Sequence, residues 1–181
     1  HLDHQQQIKF KKTQVLNSFE RANVMTESLL TPINGSQWGY RRRARLAVQR
    51  AKDGQFIVGF RNTGSRRIGP ITECLVLDDS LAALLVVLPQ WLQLLPTDIT
   101  LYEVELVSAD NAIAIALEAS RRLKEDELKD IRESLQALGE PPIQCWWKVG
   151  KNGQFRRLDE GADELYLNVP GDLKFRFKPG Q

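Results

Sequence analysis

The chain has 181 residues, of which 42% are hydrophobic and 27% charged, a balance that excludes a disordered or fibrous protein and allows one domain with a real core or two small lobes. Its longest apolar run, Leu81 to Leu88, stops at Pro89 and is far short of the roughly 20 residues a membrane helix needs, while two cysteines, Cys74 and Cys145, are too few for a disulfide scaffold and fit a reducing cytoplasm. The formal net charge of +2 conceals a local excess: residues 37–67 hold Arg41, Arg42, Arg43, Arg45, Arg50, Lys52, Arg61, Arg66 and Arg67 against the single acid Asp53, and the rest of the chain is net acidic, which points to a polyanion-binding face.

His1 to Lys12 is polar, carries no signal core and does not start with Met, the expectation being an excised or processed segment. Ile8, Val15, Leu16 and Phe19 form a narrow stripe that predicts a helix from Asp3 to about Ala22. Thr31-Pro32 and Asn34-Gly35-Ser36 then break the chain.

From Arg41 onward the residues alternate. Ala44, Leu46 and Val48 share one strand face, Arg41, Arg43 and Arg45 the other, and Arg42 is the misfit on the apolar side. Phe56, Val58 and Phe60 alternate likewise after Lys52-Asp53-Gly54, a three-residue hairpin loop in which Gly54 supplies the left-handed position. Pairing Ala51 with Gln55 sets Leu46 opposite Phe60, Val48 opposite Val58, and Arg45 opposite Arg61; an anion between the two arginines would offset their repulsion.

Further along, Leu81, Leu84, Leu85, Leu88, Leu92 and Leu95 predict a buried helix over 80–95, capped by Asp78, Asp79 or Ser80 and bent or interrupted at Pro89. A hairpin around Asp110-Asn111 joins strands near 99–106 and 112–117. A helix follows with Leu128, Ile131, Leu135 and Leu138 on one stripe, ended by Gly139 and Pro141. Strands near 143–149, 165–169 and 173–177 complete the chain. The expected fold class is α+β, with antiparallel sheets and packed helices in two small units: residues 1–78, carrying the helix and the arginine hairpin, and residues 79–181.

The arginine block has two readings. A solvated edge strand uses charge to discourage aggregation. A guanidinium array on one face binds phosphates and stacks on bases, and the three alternate arginines with Arg61 across the hairpin favour this second reading. Trp38 and Tyr40 are candidates for base stacking, whereas Phe60 is assigned to the core. Cys145, beside Trp146 and Trp147, is assigned to core packing, and Lys124-Glu125-Asp126-Glu127 to a solvated helix start.

The words Trp38-Gly39-Tyr40-Arg41-Arg42-Arg43-Ala44-Arg45-Leu46, then Gly59-Phe60-Arg61, Gly64-Ser65, and Ile71 to Leu77 with Cys74 resemble, in order and spacing, the central domain of the ribosomal RNA (uracil-5-)-methyltransferases of the RumA or RlmD type. His1 resembles the end of that family's Cys-Gly-Gly-Cys stretch, and Leu173 to Gly180 the strand leading into its methyltransferase domain. The resemblance is close over about 1–12, 38–77 and the final ten residues; over 78–165 it holds only in the pattern of elements.

The resemblance implies an S-adenosylmethionine-dependent enzyme that forms 5-methyluridine in 23S ribosomal RNA, with a cysteine attacking C6 of a flipped-out uracil. It implies RNA contact by Tyr40, Arg41, Arg43, Arg45, Arg61 and Ser65, most directly by Arg45. It also implies that Cys74 is the fourth ligand of a [4Fe-4S] cluster in the longer enzyme. No Gly-x-Gly-x-x-Gly loop and no cysteine in the catalytic context is present, so this piece alone is expected to be inactive, without cofactor, cytoplasmic and monomeric. The competing expectations are a stand-alone RNA- or ribosome-binding module and the equivalent domain of a transfer RNA (uracil-5-)-methyltransferase.

Overall fold

The computed structural model describes residues 3–65, 67–136, 138, 141–161 and 163–181. It divides into two compact units, His1–Gln37 and Trp38–Gln181. In the first, Asp3 accepts a hydrogen bond from the Gln6 amide at 3.0 Å and starts helix α1, His4–Arg21, as N-cap acids do. Arg21 lies in the last turn, favourable to the helix dipole, and Asn23 takes a left-handed conformation (φ 51°) just beyond it. No residue of α1 is buried.

The second unit is built on one seven-stranded sheet. Its strands are β1 (Arg43–Arg50), β2 (Phe56–Arg61), β3 (Ile68–Pro70), β4 (Leu101–Ser108), β5 (Ile113–Ala119), β6 (Ile143–Val149) and β7 (Arg156–Arg157), in the order β3-β2-β1-β4-β5-β6-β7. All neighbours run antiparallel except β5 and β6, which are parallel, with helix α3 (Glu125–Gln136) between them in sequence. The expected division at residue 78 therefore falls inside one sheet, because β1 pairs with β4 from Arg43–Val107 to Ala47–Glu103. A separate hairpin of β8 (Leu165–Val169) and β9 (Leu173–Phe177) completes the unit. An α+β architecture with a mostly antiparallel sheet is what the alternating patterns led us to expect.

Sequence periodicity decides the two sheet faces. Ala44, Leu46, Val48, Val58, Val104, Leu106, Ile115, Leu117, Cys145 and Trp147 bury one face in the main core, together with Leu81, Leu84, Leu85 and Leu88 of helix α2 (Asp79–Trp91). Asp78 caps α2 by accepting from the Ser80 amide at 3.1 Å. Pro89 does not interrupt this helix, which continues to Trp91 and tightens into a 3-10 turn over Leu92–Leu94. Trp91 donates through Nε1 to Ser134 Oγ at 3.0 Å, tying α2 to α3. On the opposite face Val107, Ala114, Ala116 and Trp146 pack with Leu165 of β8 and, partly buried, Phe155 and Phe177. β5 is buried throughout, as expected of a strand covered on both sides. Leu135 and Ile131 of α3 are buried; Gly139, expected to end that helix, lies outside the described residues.

The arginine hairpin adopts the anticipated register. Val48 pairs with Val58, the Ala51 amide donates to the Gln55 carbonyl at 2.7 Å, and Gly54 has φ 88°. The ladder nevertheless ends at Ala47–Gly59, so neither Leu46–Phe60 nor Arg45–Arg61 forms as a ladder pair. β2 pairs instead with β3 beyond this point, Gly59–Pro70 through Arg61–Ile68. Phe60, expected in the core, is 42% exposed: it stands on the apolar face, but past the end of the ladder that the core covers.

Candidate nucleic-acid interface

Arg43 and Arg45 alternate with the buried Ala44 and Leu46, so strand geometry sends both to the sheet face opposite the main core. Arg61, exposed at the end of β2, alternates with the buried Val58 in the same sense and belongs to that face. β4 supplies the counter-charges: its residues opposite Arg45 and Ala47 are Glu105 and Glu103, both on this face.

The array expected from the sequence is only partly free. Glu105 is 2% exposed. One of its carboxylate oxygens accepts from Arg43 Nε, the other from the Gly180 amide at 3.0 Å. Arg43 Nη1 also donates to the Gln181 carbonyl, and Arg43 Nη2 is buried with no hydrogen-bond partner among the described residues. Arg43 is thus held against Glu105. Arg45 is held loosely, its Nε at 3.8 Å from Glu105 and 3.9 Å from Glu103, with its side chain 54% exposed. Arg61 has no ion-pair partner among the described residues. Arg43 is therefore engaged by Glu105 and Gln181 with its side chain still 40% exposed, while Arg45 and Arg61 remain open to an anion.

Arg41 precedes the strand. Its amide donates to Val76 and its carbonyl accepts from Asp78, so Arg41 bridges Leu77 and its exposed side chain sits at the end of the array. Arg42, the misfit of the alternation, pairs with Asp110 at 2.6 Å. Asp110 in turn accepts from the Asn168 amide at 2.8 Å and the Asn168 side chain at 3.0 Å. The Asn168 amide, then Arg42, hold the Asp110 carboxyl below its ordinary value. This contact joins the β4–β5 turn to β8 and leaves Arg42 occupied structurally.

Trp38 and Tyr40 are both more than half exposed, and Gly39 between them, with φ 64°, donates to the Leu75 carbonyl. Ser65 accepts from the Arg67 amide at 3.2 Å and shapes the β2–β3 loop. Cys74 is a free, half-buried thiol packed on the main core. No group of three or more His, Cys, Asp or Glu among the described residues is arranged to hold a metal, so one thiolate here does not make a four-ligand cluster site. Cys145 is fully buried, and burial raises its thiol far above the ordinary value, in keeping with core packing.

Sequence reasoning missed the acids. Glu103 and Glu105 alternate with Tyr102, Val104 and Leu106, a signal visible in the sequence, but only the β1–β4 pairing sets them beside the arginines. It also missed Lys148, which pairs with Glu118 at 2.7 Å on the same face, and an open cleft of about 570 Å³ at the edge of this surface, lined in part by Arg61, Tyr102, Glu103 and Lys151.

No helix among the described residues is long and apolar enough to cross a membrane. A mixed α+β body with a charged sheet face is a common platform for polyanions, and the comparisons narrow it. The fold matches the crystal structure of a Pyrococcus abyssi tRNA (uracil-54, C5)-methyltransferase in complex with S-adenosyl-L-homocysteine, with a TM-score of 0.68 and 17% identity over 99% of this chain and 44% of that one. No protein-family model matches the chain.

The sequence is 32% identical to a protein of Polaromonas sp. named 23S rRNA (uracil(1939)-C(5))-methyltransferase RlmD, over 90% of this chain and 34% of that protein. It is also 32% identical to the protein of the same name from Pseudomonas fluorescens (strain Pf0-1), over 99% of this chain and 38% of that protein. By sequence the chain is similar to these RlmD proteins over nearly its whole length, and it spans little more than a third of theirs.

Proposed function

We propose that the chain is the RNA-recognition part, a central domain, of an S-adenosylmethionine-dependent 23S ribosomal RNA (uracil-5-)-methyltransferase, acting in the cytoplasm as a monomer. The observation that carries this reading is the pairing of RlmD-type kinship over nearly the whole chain with a sheet face on which Arg45 and Arg61 are exposed. Guanidinium groups suit phosphate because their planar N–H forks donate to two of its oxygens at once. Single-stranded RNA adds base faces on which Tyr40 and Trp38 can stack.

In this reading Arg45 and Arg61 bind phosphates directly. Arg41 extends the track, Ser65 orders the loop after Arg61, and Tyr40 contacts a base. Arg43 has a different role, holding the strand against Glu105. S-adenosylmethionine, when bound to the enzyme, would supply the methyl group, and this chain's part is to bind and orient RNA. Cys74 would supply at most one thiolate to a [4Fe-4S] cluster, and no step of the proposal runs through such a cluster.

The test is RNA affinity as a function of salt. For single strands, log K falls with log salt by about 0.7 per phosphate neutralised. Arg45→Ala and Arg61→Ala are each expected to weaken binding several-fold and to flatten that slope by roughly one phosphate contact. Affinities and slopes unchanged in both variants would overturn the assignment.

A further inference from the structure

β4 and β5 pair in register from Ser108–Ile113 back to Glu103–Glu118, and then Leu101 pairs with Ala119. One residue of β4, Tyr102, is thereby left over against β5. Such a bulge re-aims a side chain out of the pleat, and Tyr102, a large aromatic, is 48% exposed. It lines the open cleft of about 570 Å³ together with Glu103, Arg61, Lys151 and Glu118, a size that accommodates a small-molecule-sized ligand.

The two acids of the cleft are not equivalent. Glu118 is nearly buried and already engaged by Lys148 at 2.7 Å. Glu103 keeps a side chain 43% exposed, and its only ion pair among the described residues is the loose contact with Arg45 at 3.9 Å. A carboxylate is an acceptor at both oxygens. Beside an aromatic ring and two cations, it suits a nucleotide whose base offers paired N–H donors. Guanine has these, N1–H and the N2 amine side by side on its Watson–Crick edge. Uracil has a single N3–H between two carbonyl oxygens, which a carboxylate repels.

Resting on the RNA-binding reading above, the geometry points to a guanine-selective nucleotide site: Tyr102 stacks on the base, Glu103 accepts from its Watson–Crick edge, and Arg61 and Lys151 hold the flanking phosphates. The site reads a neighbour of the modified base and not the base itself, since uracil fits it poorly. It adds sequence selectivity to a surface whose arginines alone would bind any single strand.

Fluorescence anisotropy of two 5′-labelled RNA decamers tests this, one of uridine only and one with a single central guanosine. The 181-residue chain is expected to bind the guanosine decamer about ten-fold more tightly, the scale of one good bidentate base contact. Tyr102→Ala should weaken the guanosine decamer by about five-fold or more through lost stacking, and Glu103→Gln should bring the two affinities together. Tyr102 is exposed and Glu103 half-buried, and an unchanged thermal midpoint and near-ultraviolet spectrum confirm folding. Equal affinities in the unsubstituted chain, or a guanosine preference that survives Glu103→Gln, overturn the site; if Arg45→Ala still weakens both RNAs, the general RNA reading stands without it. Failure of both decamers to bind at low salt overturns both.

Discussion

Arg121 shows how differently two arginines of this chain are used. It donates to Asp98 at 2.6 and 2.8 Å and to Glu127 at 2.8 and 2.9 Å, while its carbonyl accepts from Trp147 Nε1 at 2.9 Å. Glu127 also accepts from the Lys124 amide at 2.7 Å, closing the first turn of α3. Arg121 first, then that amide, lowers the Glu127 carboxyl from its ordinary 4.5 to about 2. A depressed carboxylate contributes stability above its unfolded value and loses it as pH falls toward the folded one. The stability difference between the unsubstituted chain and Glu127→Gln, read as a urea midpoint, should therefore be largest near neutrality and shrink as pH drops from about 4.5 toward about 2. A difference independent of pH would show that the carboxylate charge is not what Arg121 holds. Arg45, by contrast, has no such cage, which is why it is available to a ligand.

Residue roles were legible in the sequence only where the neighbours were local. The outward face of Arg43 and Arg45 followed from alternation, and the core placement of Cys145 from its tryptophan neighbours. What happened to Arg43 was not legible, because Glu105 lies on a strand 62 residues away and only the β1–β4 register brings them together. Phe60 failed for a related reason: alternation gives the face of a side chain, not how far the covering layer extends.

At the scale of elements, the strongest signals were the long ones. The three helices and the strands of five or more residues were readable because each repeats its period at least twice, and the Lys52-Asp53-Gly54 loop because Gly54 supplies its left-handed residue. β3 and β7, with three and two residues, carry no period to read, and the parallel pairing of β5 with β6 depends on a crossover that no local pattern specifies. Gly59 illustrates what the short strand demands. A Cβ there would lie 1.9 Å from the Gly69 carbonyl oxygen, so β3 approaches β2 only because position 59 is glycine. Gly59→Ala is expected to destabilise the fold by about 1–3 kcal/mol, the usual cost of forcing atoms into a packed site, measured by urea denaturation. It should also weaken RNA binding, because it displaces the strand end that carries Arg61. A variant as stable as the parent would mean the β2–β3 contact is not formed as described.

For the molecule as a whole, charge is organised and not merely abundant. Positive residues concentrate between 37 and 67, yet the acids of β4 and β5 stand beside them on one sheet face. Glu105 fixes Arg43, Glu118 engages Lys148, and Glu103 only loosely restrains Arg45. Such a face binds a polyanion less tightly than a bare arginine strip would and orients it more, because the remaining cations are few and placed. The consequence is a modest salt slope, set by about two or three phosphates and not by all nine basic residues of the window.

The central claim is that RNA lies on the sheet face bearing Arg45 and Arg61. Amide chemical-shift mapping of the isotope-labelled chain, titrated with the guanosine-containing decamer, tests it most directly. The account predicts perturbations grouped at Arg43–Ala47, Phe60–Arg61 and Tyr102–Glu103, with α2 and α3 unaffected. Shifts concentrated on those helices, or spread without grouping, would contradict it.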